Sequence, residues 1–180
     1  MLRRTTFVAV VALLAGPFAV AESQVGFGVA AGLSAPIGNF GDAVESGYHL
    51  TGIVNLAIPL APVGFRFEGS YNSFNYQSSL SSAASGASSR ILSGTANVVF
   101  STPGLLGPYL IGGIGAYNTS AQCSSCNSSS TNLGFNGGVG MKLGLAGFSA
   151  FAEARLHRVS GSGAGSGSLM YVPVSVGLTF

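Results

Sequence analysis

Residues 63–72 read Val63-Gly64-Phe65-Arg66-Phe67-Glu68-Gly69-Ser70-Tyr71-Asn72, and their alternation decides the fold. Val63, Phe65, Phe67 and Tyr71 share one parity, while Gly64, Arg66, Glu68, Ser70 and Asn72 share the other. A strand sends successive side chains to opposite faces, so one face of this segment meets an apolar medium and the other carries ions. Aromatic residues outside and charges inside are what the wall of a membrane barrel presents.

The same period runs through the rest of the chain, in segments of about the nine to eleven residues that a tilted membrane strand needs. Before it lie about Gln24 to Ser34, with Val25, Phe27, Val29, Ala31 and Leu33 on one face, and Tyr48 to Ile58, with Tyr48, Leu50, Val54, Leu56 and Ile58 toward lipid. After it come Arg90 to Phe100, the glycine-rich Pro108 to Asn118, and a sixth segment placing Leu133, Phe135, Val139, Met141 and Leu143 opposite Asn132, Asn136, Gly138 and Lys142. Phe148 to His157 puts Glu153, Arg155 and His157 on one face, and Leu169 to Phe180 ends the series. The facing of the fifth segment stays open. Links near 59–62, 101–107 and 145–147 are short, and those near 35–47, 74–89, 119–131 and 159–168 are long and polar. This alternation predicts an all-β fold, an eight-stranded antiparallel up-and-down transmembrane barrel with both termini periplasmic.

Composition agrees: 28 glycines in 180 residues, 7% charged residues and a positive mean hydropathy do not describe an ordinary water-soluble domain. Beyond residue 21 there is no apolar run of helical-span length. The spanning solution left is a closed barrel, because lipid leaves no unpaired backbone unsatisfied.

Residues 1–21 read as a cleaved signal peptide: Arg3 and Arg4 are the positive region, Phe7 to Ala15 the apolar region, and Ala19-Val20-Ala21 the small-residue site before Glu22. The barrel domain then occupies 22–180. Without Arg3 and Arg4 five basic residues face five acidic ones, Glu22, Asp42, Glu45, Glu68 and Glu153. A formally neutral chain has no basic footprint for a nucleic-acid partner.

The chain resembles the outer-membrane β-barrel domain family, which includes small proteins of the opacity and OmpA-transmembrane kind. The resemblance rests on Gly32 to Phe40 (GLSAPIGNF), Gly107 to Tyr117 (GPYLIGGIGAY), Glu153-Ala154-Arg155, and the closing Tyr171 to Phe180 (YVPVSVGLTF). It covers essentially the whole mature chain and implies fold and outer-membrane location, with lipid and lipopolysaccharide around the wall, and no single activity. Phe180 at the C-terminus resembles the signal read by the barrel-assembly machinery, and is equally the last residue of a lipid-facing girdle. Pro173 has no ladder donor and is expected to weaken the register of the last segment.

Parity sends Arg66 and Glu68 inward from the third segment, and Glu153 and Arg155 inward from the seventh, four strands away on the opposite wall. An eight-stranded barrel has an interior just wide enough for side chains to fill. These four, with Lys142 alongside, are expected to form a lumen charge network that plugs the barrel.

Cys123 and Cys126 stand in a long link of an exported chain, where a local disulfide is the default. Two cysteines are too few for a structural zinc site, and no cofactor or metal is expected. The Ser/Gly/Ala runs 78–89 and 160–168 read as solvated loop tips, with an unidentified surface ligand as the sharper alternative. Serine hydrolysis needs a histidine beside a serine and an acid. His157 has Ser160 on the opposite face, and His49 has only Thr51 on its own. The reading is therefore a non-enzymatic structural or surface-interaction barrel, with a narrow pore and a lipid-modifying enzyme as alternatives.

Overall fold

The computed structural model describes residues 24–41, 44–59, 61–75, 88–123, 126–161 and 168–180. Residues 1–21, with Ala19, Ala21 and Glu22 at their cleavage boundary, and most of the runs 78–89 and 160–168 lie outside the described residues. Eight strands follow in chain order: β1 (Gln24–Ile37), β2 (Gly47–Ala57), β3 (Val63–Asn75), β4 (Ser88–Ser101), β5 (Leu106–Cys123), β6 (Cys126–Leu145), β7 (Phe148–Val159) and β8 (Leu169–Thr179). Each pairs antiparallel with the next, and β8 pairs back onto β1 to close the barrel. Closure leaves no free edge at membrane depth, as the strand solution in lipid requires.

The final residue completes the seam. Phe27 and Phe180 exchange both main-chain hydrogen bonds, at 3.0 and 2.7 Å. Pro173 faces the lumen and leaves a gap in the β7–β8 ladder, yet Ala154↔Val174 on one side and His157↔Tyr171 on the other keep one register. The expectation of a weakened register is thus corrected: the missing donor costs two rungs, and pairing of β8 with β1 through Ser34↔Pro173 holds the strand in place.

Faces follow the alternation. Val25, Phe27, Leu50, Phe65, Leu92, Val98, Leu133, Phe135, Val176 and Phe180 are exposed to what would be lipid. The fifth strand resolves with Leu110 and Ile114 outside and Tyr109, Ile111 and Tyr117 buried inside. The link expected near 119–131 is not a loop: β5 and β6 run on to Cys123 and Cys126 as one long hairpin. Polar side chains join the two strands there: Asn118 on β5 bonds Ser129 and Thr131 across the ladder.

Glycine fits the wall to its filling. A Cβ on Gly140 would stand 2.3 Å from the Tyr109 ring, one on Gly177 2.5 Å from Phe151, and one on Gly134 2.8 Å from Tyr117. Inward-facing glycines therefore sit where neighbouring strands send their largest side chains into the lumen. At the short turns, Gly104 and Gly147 adopt φ of 129° and 88°, which only glycine reaches without strain.

Candidate functional site

Three layers fill the lumen. At the end holding both termini, Ala30, Ile53, Tyr109, Ile111 and Phe151 form an apolar floor. Above it lies a ring of four charges. The Arg66 guanidinium bonds Glu153 at 2.9 Å and stands 3.8 Å from Glu68; Arg155 bonds Glu68 through both terminal nitrogens at 2.6 and 2.8 Å and approaches Glu153 at 2.5 Å. Each cation thus touches both anions, and the ring is closed and neutral. The last contact lacks hydrogen-bond angles, so Arg155 Nε and Glu153 Oε1 meet as an ion pair only.

The ring needs both walls, because β3 supplies one Arg–Glu pair and β7 the other. Neighbours meet several of its remaining lone pairs and protons. Tyr109 donates to Glu153 at 2.8 Å, Thr95 and Asn97 to Glu68 at 3.3 and 3.2 Å, and Arg66 Nε donates to Asn55 at 2.9 Å. The Arg66 guanidinium also lies over the rings of Tyr109 and Phe151, at 5.4 and 5.2 Å. Taking charges out of water is costly unless they are paired, and here each of the four has an opposite charge in contact, with only Arg155 Nε and Glu153 Oε1 lacking a hydrogen bond.

Lys142 is not among them. It faces the interior two residues nearer the terminal end than Gly140, the β6 partner of Glu153, and makes no ion pair or hydrogen bond with the described residues. Phase alone gave it the right face; height along the strand set it apart.

Toward the other end the polar layer turns neutral. His49 lies between Ser34 Oγ at 3.1 Å and Ser175 Oγ at 2.8 Å, and Ser34 donates to Asn72 at 3.0 Å. His157 Nδ1 meets the Tyr117 hydroxyl at 2.9 Å, with the ring stacked on Tyr171 at 4.9 Å. Among the described residues neither imidazole is bonded to a carboxylate. The outermost layer is apolar again: Val44, Phe74, Ile91, Tyr117, Val159 and Tyr171 are buried together, with Phe40 and Leu169 packed on them. Val44 and Phe40 come from the β1–β2 link, which dips into the mouth after a 3-10 turn at Gly38–Phe40.

Parity along the fourth segment sets Thr95 and Asn97 opposite its lipid face, but sequence reasoning did not bring Tyr109, Phe151 or Asn55 to the ring or gather this outer cluster. Each is placed by cross-strand register, and the legible signal was the glycines facing them on adjacent strands. The main chains of Cys123 and Cys126 are directly opposed at the hairpin tip, while their side chains lie outside those described. Phe180 is exposed on the outer face, 6.4 Å from Phe148.

The model of the outer membrane protein beta-barrel domain family matches residues 5–180. The chain belongs to that family. As a family member it is a protein of the outer membrane, which its strands cross. Among solved structures it is similar to Neisserial surface protein A, with 15% identity and a TM-score of 0.65 over 86% of this chain and 95% of that one. The N-terminal β-barrel domain of Pseudomonas aeruginosa OprF matches at 15% identity and a TM-score of 0.52, covering 88% and 100% of the two chains. Ail, the attachment invasion locus protein of Yersinia pestis, matches at 14% identity and 0.52, covering 88% and 97%. At these identities the likeness concerns the fold. No curated protein matches the sequence.

Proposed function

We propose that this barrel is a non-enzymatic structural and surface-interaction protein: a rigid, plugged cylinder that holds its long connections outside the cell. The observation that supports this reading is the filling of the lumen, where a closed ring of four charges lies between an apolar floor and an aromatic outer cluster. Both histidines are engaged with hydroxyl groups inside that filling, which leaves the chemistry of the chain away from any opening. In this reading the termini and the three short turns face the periplasm, while the three long connections and the tip of the β5–β6 hairpin face outward, the arrangement usual for such barrels. The names of two structural neighbours, a surface protein and an attachment invasion locus protein, point the same way.

Export by the 1–21 signal peptide, recognition of Phe180 by the assembly machinery, a Cys123–Cys126 disulfide at the hairpin tip and lipopolysaccharide around the wall belong to the same proposal. Single-channel recording on the refolded protein tests the plug: a silent bilayer is expected, and steady open-channel current overturns it in favour of a narrow pore. Orientation is tested separately on intact cells. An epitope inserted between Ser82 and Ala83 is expected to be stained, one between Ala146 and Gly147 is not, and the reverse pattern inverts the barrel.

A further inference from the structure

Five cations remain in the mature chain, and the interior accounts for three of them: Arg66 and Arg155 in the ring, and Lys142 facing inward. The other two, Arg90 on β4 and Arg158 on β7, are exposed and point out of the barrel. Their parity is that of Leu92, Val98 and Phe100 on β4, and of Phe148 and Leu156 on β7, all exposed on the lipid face. Neither arginine makes an ion pair or hydrogen bond with the described residues. Their cross-strand partners are Ser73 and Ser120 for Arg90, and Phe135 and Met170 for Arg158, none of them a carboxylate. Of the described acids, Glu68 and Glu153 are spent in the lumen and Glu45 lies in the β1–β2 link.

Depth gives these arginines a meaning. Each stands ten residues along its strand from an outward phenylalanine at the terminal end of the barrel, Phe100 for Arg90 and Phe148 for Arg158. Ten residues of strand span about 33 Å, which at a tilt of about 40° is a rise of about 25 Å, the height of the apolar band of such barrels. Two residues nearer the middle, Leu92 and Leu156 are still apolar and exposed. Both cations therefore stand at the far boundary of the hydrocarbon, level with headgroups, where a lipid-facing charge is tolerated. An unpaired guanidinium at that depth meets the phosphates of the surrounding lipid, and its planar donors match a phosphate in two-point fashion.

We propose that Arg90 and Arg158 are two separate phosphate-binding contacts for the phosphorylated glycolipid of the outer leaflet. They lie three strands apart in a barrel of eight, so they hold different lipid molecules and seat the barrel at a fixed height. The inference rests on the orientation proposed above.

The test titrates folded protein in nonionic detergent with bisphosphorylated lipid A, its fully dephosphorylated form, and phosphatidylglycerol, counting bound lipids by native mass spectrometry. Bisphosphorylated lipid A is expected to bind about tenfold more tightly than the dephosphorylated form, a ratio within reach of one charge-assisted contact. R90Q and R158Q should each remove one retained lipid A and the double variant should abolish the preference, while R90K/R158K keeps part of it. Folding, read as heat-modifiable migration, should not change in any of them, because neither side chain bonds to the described residues of the barrel. Equal retention of both lipid A forms, or a double variant that keeps the preference, overturns the proposal. Phosphatidylglycerol held as tightly as lipid A overturns the glycolipid assignment. Micelles have no leaflets, so these outcomes are independent of the epitope experiment, which reads orientation alone.

Discussion

Arg66 is held by an acid on the opposite wall, an amide on β2 and two aromatic faces at once, so its removal leaves several groups without a partner. Breaking a buried ion pair by deleting one member typically costs about 3–5 kcal/mol, because the surviving charge remains desolvated. We expect Glu153→Gln and Arg66→Met each to fall in that range in equilibrium unfolding from detergent or lipid. The double variant should lose much less than the two costs added, and strict additivity with small effects would mean that the four charges are independently solvated. Lys142→Met is the control: with no ion pair, it should change stability by about 0–1 kcal/mol. Glycines divide in a comparable way. A Cβ at Gly138 would come within 2.2 Å of the Ala154 carbonyl oxygen, whereas none of the described atoms lies within 4 Å of one at Gly94. Gly138→Ala should therefore destabilise by about 1–3 kcal/mol, and Gly94→Ala should be neutral or stabilise by up to about 1 kcal/mol. Chemical denaturation of the two variants checks this, and equal effects would remove the steric account of the inward glycines.

Among the strands, β8 carries the greatest topological burden. It joins the last-made wall to the first, and its terminal Phe180 provides two main-chain bonds to Phe27 as well as the ring beside Phe148. Deleting Phe180 is expected to reduce the heat-modifiable folded fraction in cells, and a variant retaining main-chain length, Phe180→Ala, separates the loss of the ring from the loss of the seam bonds. Unchanged folding and membrane yield of both would remove any role of this residue in assembly. The β5–β6 hairpin shows the limit of reading elements from composition. Its serines and asparagines suggested a loop, but antiparallel pairing continues as long as each strand has a partner, and polar side chains bonded across the ladder are compatible with it.

At the scale of the molecule, layers of wall side chains fill the lumen, and among the described residues no α-helix is inserted into it. The outer cluster draws Phe40 and Val44 from the β1–β2 link, so the mouth is sealed by a connection as well as by wall residues. Intact-mass measurement on protein extracted from the membrane tests the processing of the whole chain. We expect Glu22 as the first residue and a mass lower by two hydrogens that are regained on reduction, from Cys123 and Cys126. A retained Arg3-Arg4 segment would end the export reading, and a mass unmoved by reductant would end the disulfide.

Two solvents acting on a period of two wrote the lipid face, the lumen face and the strand count into the chain, and for that reason the fold class and the inward placement of Arg66, Glu68, Glu153 and Arg155 were legible in the sequence alone. Parity fixes a face but carries no information about height, and height depends on how eight strands are staggered around the closed sheet. Tertiary structure alone therefore decided that these four charges share one level while Lys142 does not, that Tyr109 and Phe151 close the floor beneath them, and that Pro173 costs rungs without shifting register.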